Sequence, residues 1–135
     1  MITVNIKATF DCDIDSLWEI VTNNKEYHWR SDLSKVEVKD DKTFIEYTHK
    51  NYPTTFTITK LERNKVYEFD IKNTNIHGHW IGVFKENSTG TEISFTEMIE
   101  VNNIAMRLLG KTYLKKQQKL YVKDLQEKVN QLKRK

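Results

Sequence analysis

One cysteine, one proline, four glycines and no long apolar run: this chain of 135 residues is marked first by what it leaves out. Cys12 alone cannot form an internal disulfide. A chain of this length can bury about two-thirds of its unfolded surface and needs no staple. No stretch is long and apolar enough to cross a bilayer. The opening residues alternate in polarity and carry Lys7, Asp11, Asp13, Asp15 and Glu19, unlike a signal peptide, so a reducing cytoplasm is the expected compartment. Chemical signatures are equally scarce. Gly78 and Gly82 fit neither GxGxxG nor GxxxxGK, which argues against nucleotide phosphates. There is no HExxH and no cysteine cluster, and no cofactor is expected. Cys12 has no histidine and acid framework that would make it a nucleophile.

Charge is plentiful but unevenly spread. The net charge is +3, yet residues 111 to 135 hold nine Lys or Arg against Asp124 and Glu127, which leaves the rest of the chain net acidic. A basic helix can serve a nucleic-acid or anionic-lipid surface. Lysines also suit a helix C-terminus, and their stems shield apolar neighbours. A solvated helix face is the reading adopted; neither nucleic-acid binding nor membrane insertion is expected.

Periodicity supplies the architecture. Ile2, Val4, Ile6, Ala8 and Phe10 occupy every second position, a strand with one apolar face. Asp13 then suits a helix N-cap, and Ile14, Leu17, Trp18 and Val21 follow at helical spacing up to Asn23-Asn24. Residues 25 to 31 are expected to add a second short helix, with Tyr27 and Trp29 toward the sheet. From Asp32 to Glu100 the period is two, with polar breaks, predicting strands at 33–39, 42–49, 54–62, 65–72, 76–86 and 91–101. Short breaks make neighbours antiparallel. A long helix from about Asn103 to Lys133, uninterrupted by proline, closes the chain. It carries one apolar stripe through Leu114, Gln118, Tyr121, Leu125, Val129 and Leu132, and a second through Met106, Leu109, Tyr113 and Leu120 confined to its first half. The doubly apolar half is expected to be enclosed and to border a space between helix and sheet. The whole chain, 1–135, reads as a single α+β domain.

This order resembles the helix-grip fold of the START/Bet v 1-like superfamily, whose bacterial members are commonly labelled polyketide cyclase/dehydrase or SRPBCC proteins. The carriers are the helix Ile14-Asp15-Ser16-Leu17-Trp18-Glu19-Ile20-Val21, the strand from Trp80 to Phe84, and Gly90-Thr91-Glu92-Ile93-Ser94-Phe95-Thr96-Glu97 leading into the last helix. The resemblance implies a seven-stranded curved antiparallel sheet, two short N-terminal helices and a long C-terminal helix over the concave face. It also implies an internal cavity of the kind that the superfamily uses for apolar molecules. A minority of members are catalytic, so a cyclase/dehydrase- or hydrolase-type enzyme is one alternative. A branch similar to the activator of the Hsp90 ATPase binds a protein, which is another. The NTF2-like cone, the rival fold, normally begins with helices.

Strand parity names the candidate wall. Tyr67, Phe69 and Ile71 share a face, as do Phe56 and Ile58, and Trp80 and Phe84 share theirs with Gly78 and Gly82, whose lack of side chains leaves room for a ligand or eases strand curvature. Ile45 and Tyr47 are expected inward, which turns Glu46 outward. Glu97 shares its face with Ile93, Phe95 and Ile99, so its carboxylate needs a partner, with Arg30 favoured. Trp29-Arg30-Ser31-Asp32 mixes chemical types most densely; Arg30 and Asp32 either anchor a ligand's polar group or pair with each other. His77 and His79 point the same way, but on the face opposite Trp80, and no metal is expected there. The expected ligand is a small apolar molecule held by Trp29, Arg30, Phe56, Phe69, Trp80, Phe95, Glu97, Met106, Leu109 and Tyr113. No residue set identifies a reaction.

Overall fold

The structure, a computed structural model, describes residues 1–134, and the side chains of all of these except 104–106. Seven strands form one antiparallel sheet: β1 (Ile2–Phe10), β2 (Leu33–Val38), β3 (Thr43–Thr48), β4 (Pro53–Glu62), β5 (Val66–Lys72), β6 (Ile76–Asn87) and β7 (Gly90–Val101). Two helices complete it, α1 (Ile14–Thr22) and α2 (Ile104–Lys133). Every strand from β2 onward falls within a residue of the stretch that alternation marks out.

The sheet order is β1-β7-β6-β5-β4-β3-β2, so the first strand lies beside the last, in register from Ile2 opposite Ile99 to Phe10 opposite Thr91. This order makes β1 and β2 opposite edges. The chain between them must therefore cross the width of the sheet, and α1 with residues 23–32 makes that crossing. α1 starts where expected: Asp13 accepts from the Ser16 amide at 3.0 Å and the Ser16 hydroxyl at 2.7 Å. It buries Ile14, Leu17, Trp18 and Val21, with Trp18 edge-on to Phe84 at 4.9 Å.

No second helix follows. Residues 23–32 form separate turns, in which the Glu26 amide donates to the Asn23 carbonyl at 3.2 Å and the Arg30 amide to the Tyr27 carbonyl at 2.9 Å. A seven-residue helix gains little against its nucleation cost. Here the Ser31 amide instead donates to the Asp124 carboxylate on α2 at 2.8 Å, a long-range bond that helical pairing within the segment would forgo.

α2 lies chiefly along β1, with a lesser contact on β7. Its stripe of Leu114, Gln118, Leu125 and Val129 is buried. Gln118 donates to the carbonyls of Val4 at 3.3 Å and Phe95 at 3.4 Å, and Gln126 to that of Thr9 at 3.0 Å. These bonds seat the helix over the β1–β7 seam. The second stripe is not enclosed: Leu109 is 74% and Tyr113 61% exposed, and Leu132, the last residue of the first stripe, is 40% exposed. At 100° per residue Leu109 sits about 140° and Tyr113 about 100° around the helix from Leu114, so the face that docks on β1 cannot bury both stripes. Among the described residues no helix is long and apolar enough to cross a membrane.

The core is an aromatic row across the strands. Phe44 stacks on Phe56 at 5.0 Å, Phe56 meets Phe69 edge-on at 5.2 Å, Phe69 stacks on Trp80 at 4.7 Å, Trp80 meets Phe95 at 5.3 Å, and Phe95 meets Tyr121 of α2 at 5.1 Å. The row corrects the reading of β3, because Phe44 is its most buried residue and Glu46 shares Phe44's inward face. The opposition of Phe44 to Phe56 outweighs the Ile45 and Tyr47 pattern. The glycines of β6 also have a definite use. A Cβ on Gly82 would stand 2.7 Å and 2.8 Å from two atoms of the Trp80 indole, and one on Gly78 would meet the Met98 carbonyl and the Ile99 side chain. The space they leave is filled by protein.

Gly82→Ala is therefore expected to push Trp80 off its stack with Phe69 and to cost about 1–3 kcal/mol in chemical denaturation, the usual range for overpacking. A wild-type midpoint with unchanged tryptophan emission would contradict this packing.

Candidate functional site

A pocket of about 560 Å³ lies between the inner face of the sheet and α2. Leu33 and Val36 of the β2 edge line it together with Phe95, Glu97, Ile99 and Val101 of β7, so the sheet curls around this space. The apolar wall is the aromatic row. The crossing segment closes part of the circumference with Tyr27, Trp29, Arg30 and Asp32, and α2 closes the rest with Leu109, Gly110, Tyr113, Leu114, Gln117, Gln118 and Tyr121. Because Leu109 and Tyr113 line the pocket and yet stand in solvent, the pocket opens beside the first turns of α2.

Its polar groups converge on Arg30. The Arg30 guanidinium donates from Nε and Nη2 to the two oxygens of Asp32, at 3.1 Å and 3.0 Å, and from Nη1 to Glu46 at 3.3 Å. Its carbon lies 5.0 Å from the centre of the Tyr121 ring and 5.8 Å from that of Trp29. Burial alone would pull the guanidinium's pKa down, but Glu46 and Asp32 outweigh it and hold the group charged. Burial pushes Glu46 up, against the pull of Arg30. The loop that carries Arg30 is itself anchored: both the amide and the hydroxyl of Ser31 donate to Asp124 at 2.8 Å, and His49 donates to the Ser31 carbonyl at 2.8 Å. Asp124 is buried on α2, one helical turn after Tyr121.

Glu97 does turn inward, but Arg30 is not its partner. The guanidinium donates to Asp32 and Glu46 instead, and among the described residues no donor lies within hydrogen-bonding distance of the Glu97 carboxylate. By exposed surface Glu97 is only half-buried, because it opens onto the pocket; by depth it is enclosed, and depth governs its solvation. Desolvation, reinforced by the negative charge of Glu46 and relieved in part by Arg30, pushes it up to about 7 from an ordinary 4.5. The native state thus holds a proton that the unfolded chain releases. Glu97's contribution to stability is fully present below about pH 4.5 and is lost as the pH rises through about 7.

Nine of the ten residues expected at the site line the pocket: Trp29, Arg30, Phe56, Phe69, Trp80, Phe95, Glu97, Leu109 and Tyr113. Met106 lies outside the described side chains. Glu46, Asp124 and the polar role of Gln118 were missed. The inward parity of Phe44 was the available signal for Glu46, and an acid one turn from Tyr121 on the docked stripe was the signal for Asp124. His77 and His79, the pair considered for a metal, lie elsewhere. His79 is held between Asp70 at 2.7 Å and Glu68 at 2.8 Å on the outer face, and these two acids, outweighing the effect of burial, raise its pKa. Among the described residues no group of His, Cys, Asp or Glu is arranged to hold a metal ion. Burial first, then Asp13 and Asp11, push the Cys12 thiol up to about 11, which leaves it a poor nucleophile.

Solved structures with the same architecture are numerous. A START superfamily protein from Mycobacterium smegmatis superposes with a TM-score of 0.80 at 10% identity, over 96% of this chain and 98% of that one. The chain has a START-like fold. A protein of Mesorhizobium loti matches with a TM-score of 0.80 at 14% identity, over 96% of this chain and 97% of that one. A conserved protein of Geobacillus kaustophilus matches with a TM-score of 0.81 at 12% identity, over 96% of each chain. At such identities the likeness is one of fold. No protein-family model matches the chain, and no curated protein matches its sequence.

Arg30→Ala leaves the Asp32 and Glu46 carboxylates facing each other without their cation and is expected to cost about 3–5 kcal/mol at pH 8, the range for breaking a buried pair from one side. The loss should shrink on acidification as Glu46 takes up a proton, and Glu46→Gln in the same background should recover part of it. Denaturation at pH 5 and pH 8 checks this; an equal, small loss at both would show that Arg30 is not held by buried charge.

Proposed function

We propose that this protein, acting as a single domain, binds a small, largely apolar molecule in the pocket between its sheet and α2. The observation that carries the reading is the pairing of about 560 Å³ of space with a continuous aromatic wall and one localised polar cluster. Small-molecule sites have this character: mostly apolar walls, a few placed polar groups and a volume of about 300–1,000 Å³. Phe56, Phe69, Trp80 and Phe95 supply the apolar contact, Trp29 and Tyr121 frame the polar cluster, and Leu109 and Tyr113 flank the entrance. The START-like fold agrees with this reading. Among the described residues no arrangement of acid, base and nucleophile within hydrogen-bonding reach of one another favours a reaction over binding.

An environment-sensitive hydrophobic dye should bind saturably to the native protein and quench the emission of Trp80. Phe69→Ala, if the variant remains folded, should weaken binding about three- to tenfold, the value of an aromatic contact. Absence of saturable binding by the folded wild type would overturn the reading.

A further inference from the structure

Resting on the reading of the pocket as a ligand site, we propose that its ligand carries a protonated amine, received by Glu97, and that the pocket discriminates against apolar carboxylates. The geometry of Arg30 is the first ground. A lone arginine in an apolar pocket would ordinarily suggest a carboxylate ligand, since its planar fork matches one. Here three of the guanidinium's five N–H groups, on Nε, Nη1 and Nη2, already donate to Asp32 or Glu46, so its bidentate edge is taken by Asp32 and its single charge is shared by two protein carboxylates. An anionic ligand would have to displace one of them or add a further negative charge beside a cation that two carboxylates already more than neutralise.

Glu97 is the second and independent ground. It is enclosed, faces the pocket and has no hydrogen-bonding partner among the described residues. A buried carboxylate without a donor is costly, and a ligand's N–H groups would remove that cost. Among the described residues that line the pocket, Arg30 is the one source of positive charge, and Glu46 and Asp32 already claim it. Val4 of β1 and Trp80 of β6 are its strand partners and bring none. From β3 comes Glu46, from the crossing segment Arg30 with Asp32, from β5 the phenol of Tyr67, and from α2 the phenol of Tyr121 and the amide of Gln118. With Glu97 ionised, three carboxylates face one guanidinium, and an ammonium group reduces that excess. Trp80 and Tyr121 add aromatic faces of the kind that also attract cations.

Decylamine, decanol and decanoic acid share an apolar chain and differ at the end this inference concerns. Each would be titrated as a competitor of the hydrophobic dye at pH 5.5 and pH 8.5, below micellar concentrations. The expected result is that decylamine competes about tenfold better than decanoic acid at pH 8.5, as a charge-assisted bond implies, with a smaller ratio at pH 5.5 where Glu97 is protonated. Glu97→Gln should abolish most of that pH-dependent preference, read as the ratio of decylamine to decanoic acid within the same variant. Decanoic acid competing as well as the amine, or a preference that survives Glu97→Gln, would overturn the inference while the pocket reading stands. Failure of all three to compete, with no saturable dye binding, would overturn both.

Discussion

A single guanidinium held out of bulk water by two carboxylates organises one side of this molecule. Arg30 belongs to the segment that crosses from β1 to β2, Glu46 to β3, and the rings that cover the cation to the crossing segment and α2. The interaction therefore joins pieces of chain that have no strand pairing with one another. Such a pair is weak evidence of net stability, since well-packed apolar residues often do as well. Its consequence is positional: a buried charge tolerates few arrangements, and this one fixes where the crossing segment meets the helix. The bonds from Ser31 to Asp124 secure the same junction from the neighbouring residue.

The pocket follows from a mismatch that the aromatic row does not resolve. Phe44, Phe56, Phe69, Trp80 and Phe95 cover the inner face in one layer, and Gly82 of β6 leaves room for Trp80 to lie over its own strand. α2 is tied to the β1–β7 seam by Gln118 and Gln126, at one side of the curled sheet. The interior toward β2, β3 and β4 is thereby left without a second layer. A protein built only for stability would fill that volume with larger side chains; this one walls it with rings and places its ionisable groups at one side.

Much of this was legible in the sequence, and the boundary is physical. Strands showed themselves because one face is buried and the other wet, which writes a period of two, and α1 because Asp13 and its apolar spacing act locally. Glu97 was identifiable because a charge amid Ile93, Phe95 and Ile99 breaks that period. Its missing partner was not. Pairing in three dimensions depends on Glu46, and β3 has bulky residues on both faces, so local pattern cannot decide which one turns inward. The short helix expected over residues 25–31 failed for a related reason, as its backbone bonds are decided by Asp124, far away in sequence. The glycines of β6 marked a need for room without saying whose, and the answer was the Trp80 indole at Gly82 and the neighbouring strand's Met98 carbonyl and Ile99 side chain at Gly78. The exposure of Leu109 and Tyr113 was likewise unreadable, since two apolar stripes on a helix do not announce which one the sheet will meet.

Glu97 is a deeply set ionisable group that faces the pocket without a hydrogen-bonding partner among the described residues, and its ionisation can be observed directly. In ligand-free protein the side-chain carboxyl carbon of Glu97, followed by carbon-detected NMR across the acid and neutral range, should titrate with a midpoint near 7. A midpoint between about 4 and 5, the range of an ordinary solvated glutamate, would contradict the placement of Glu97 and with it the view of this pocket as a site awaiting a donor.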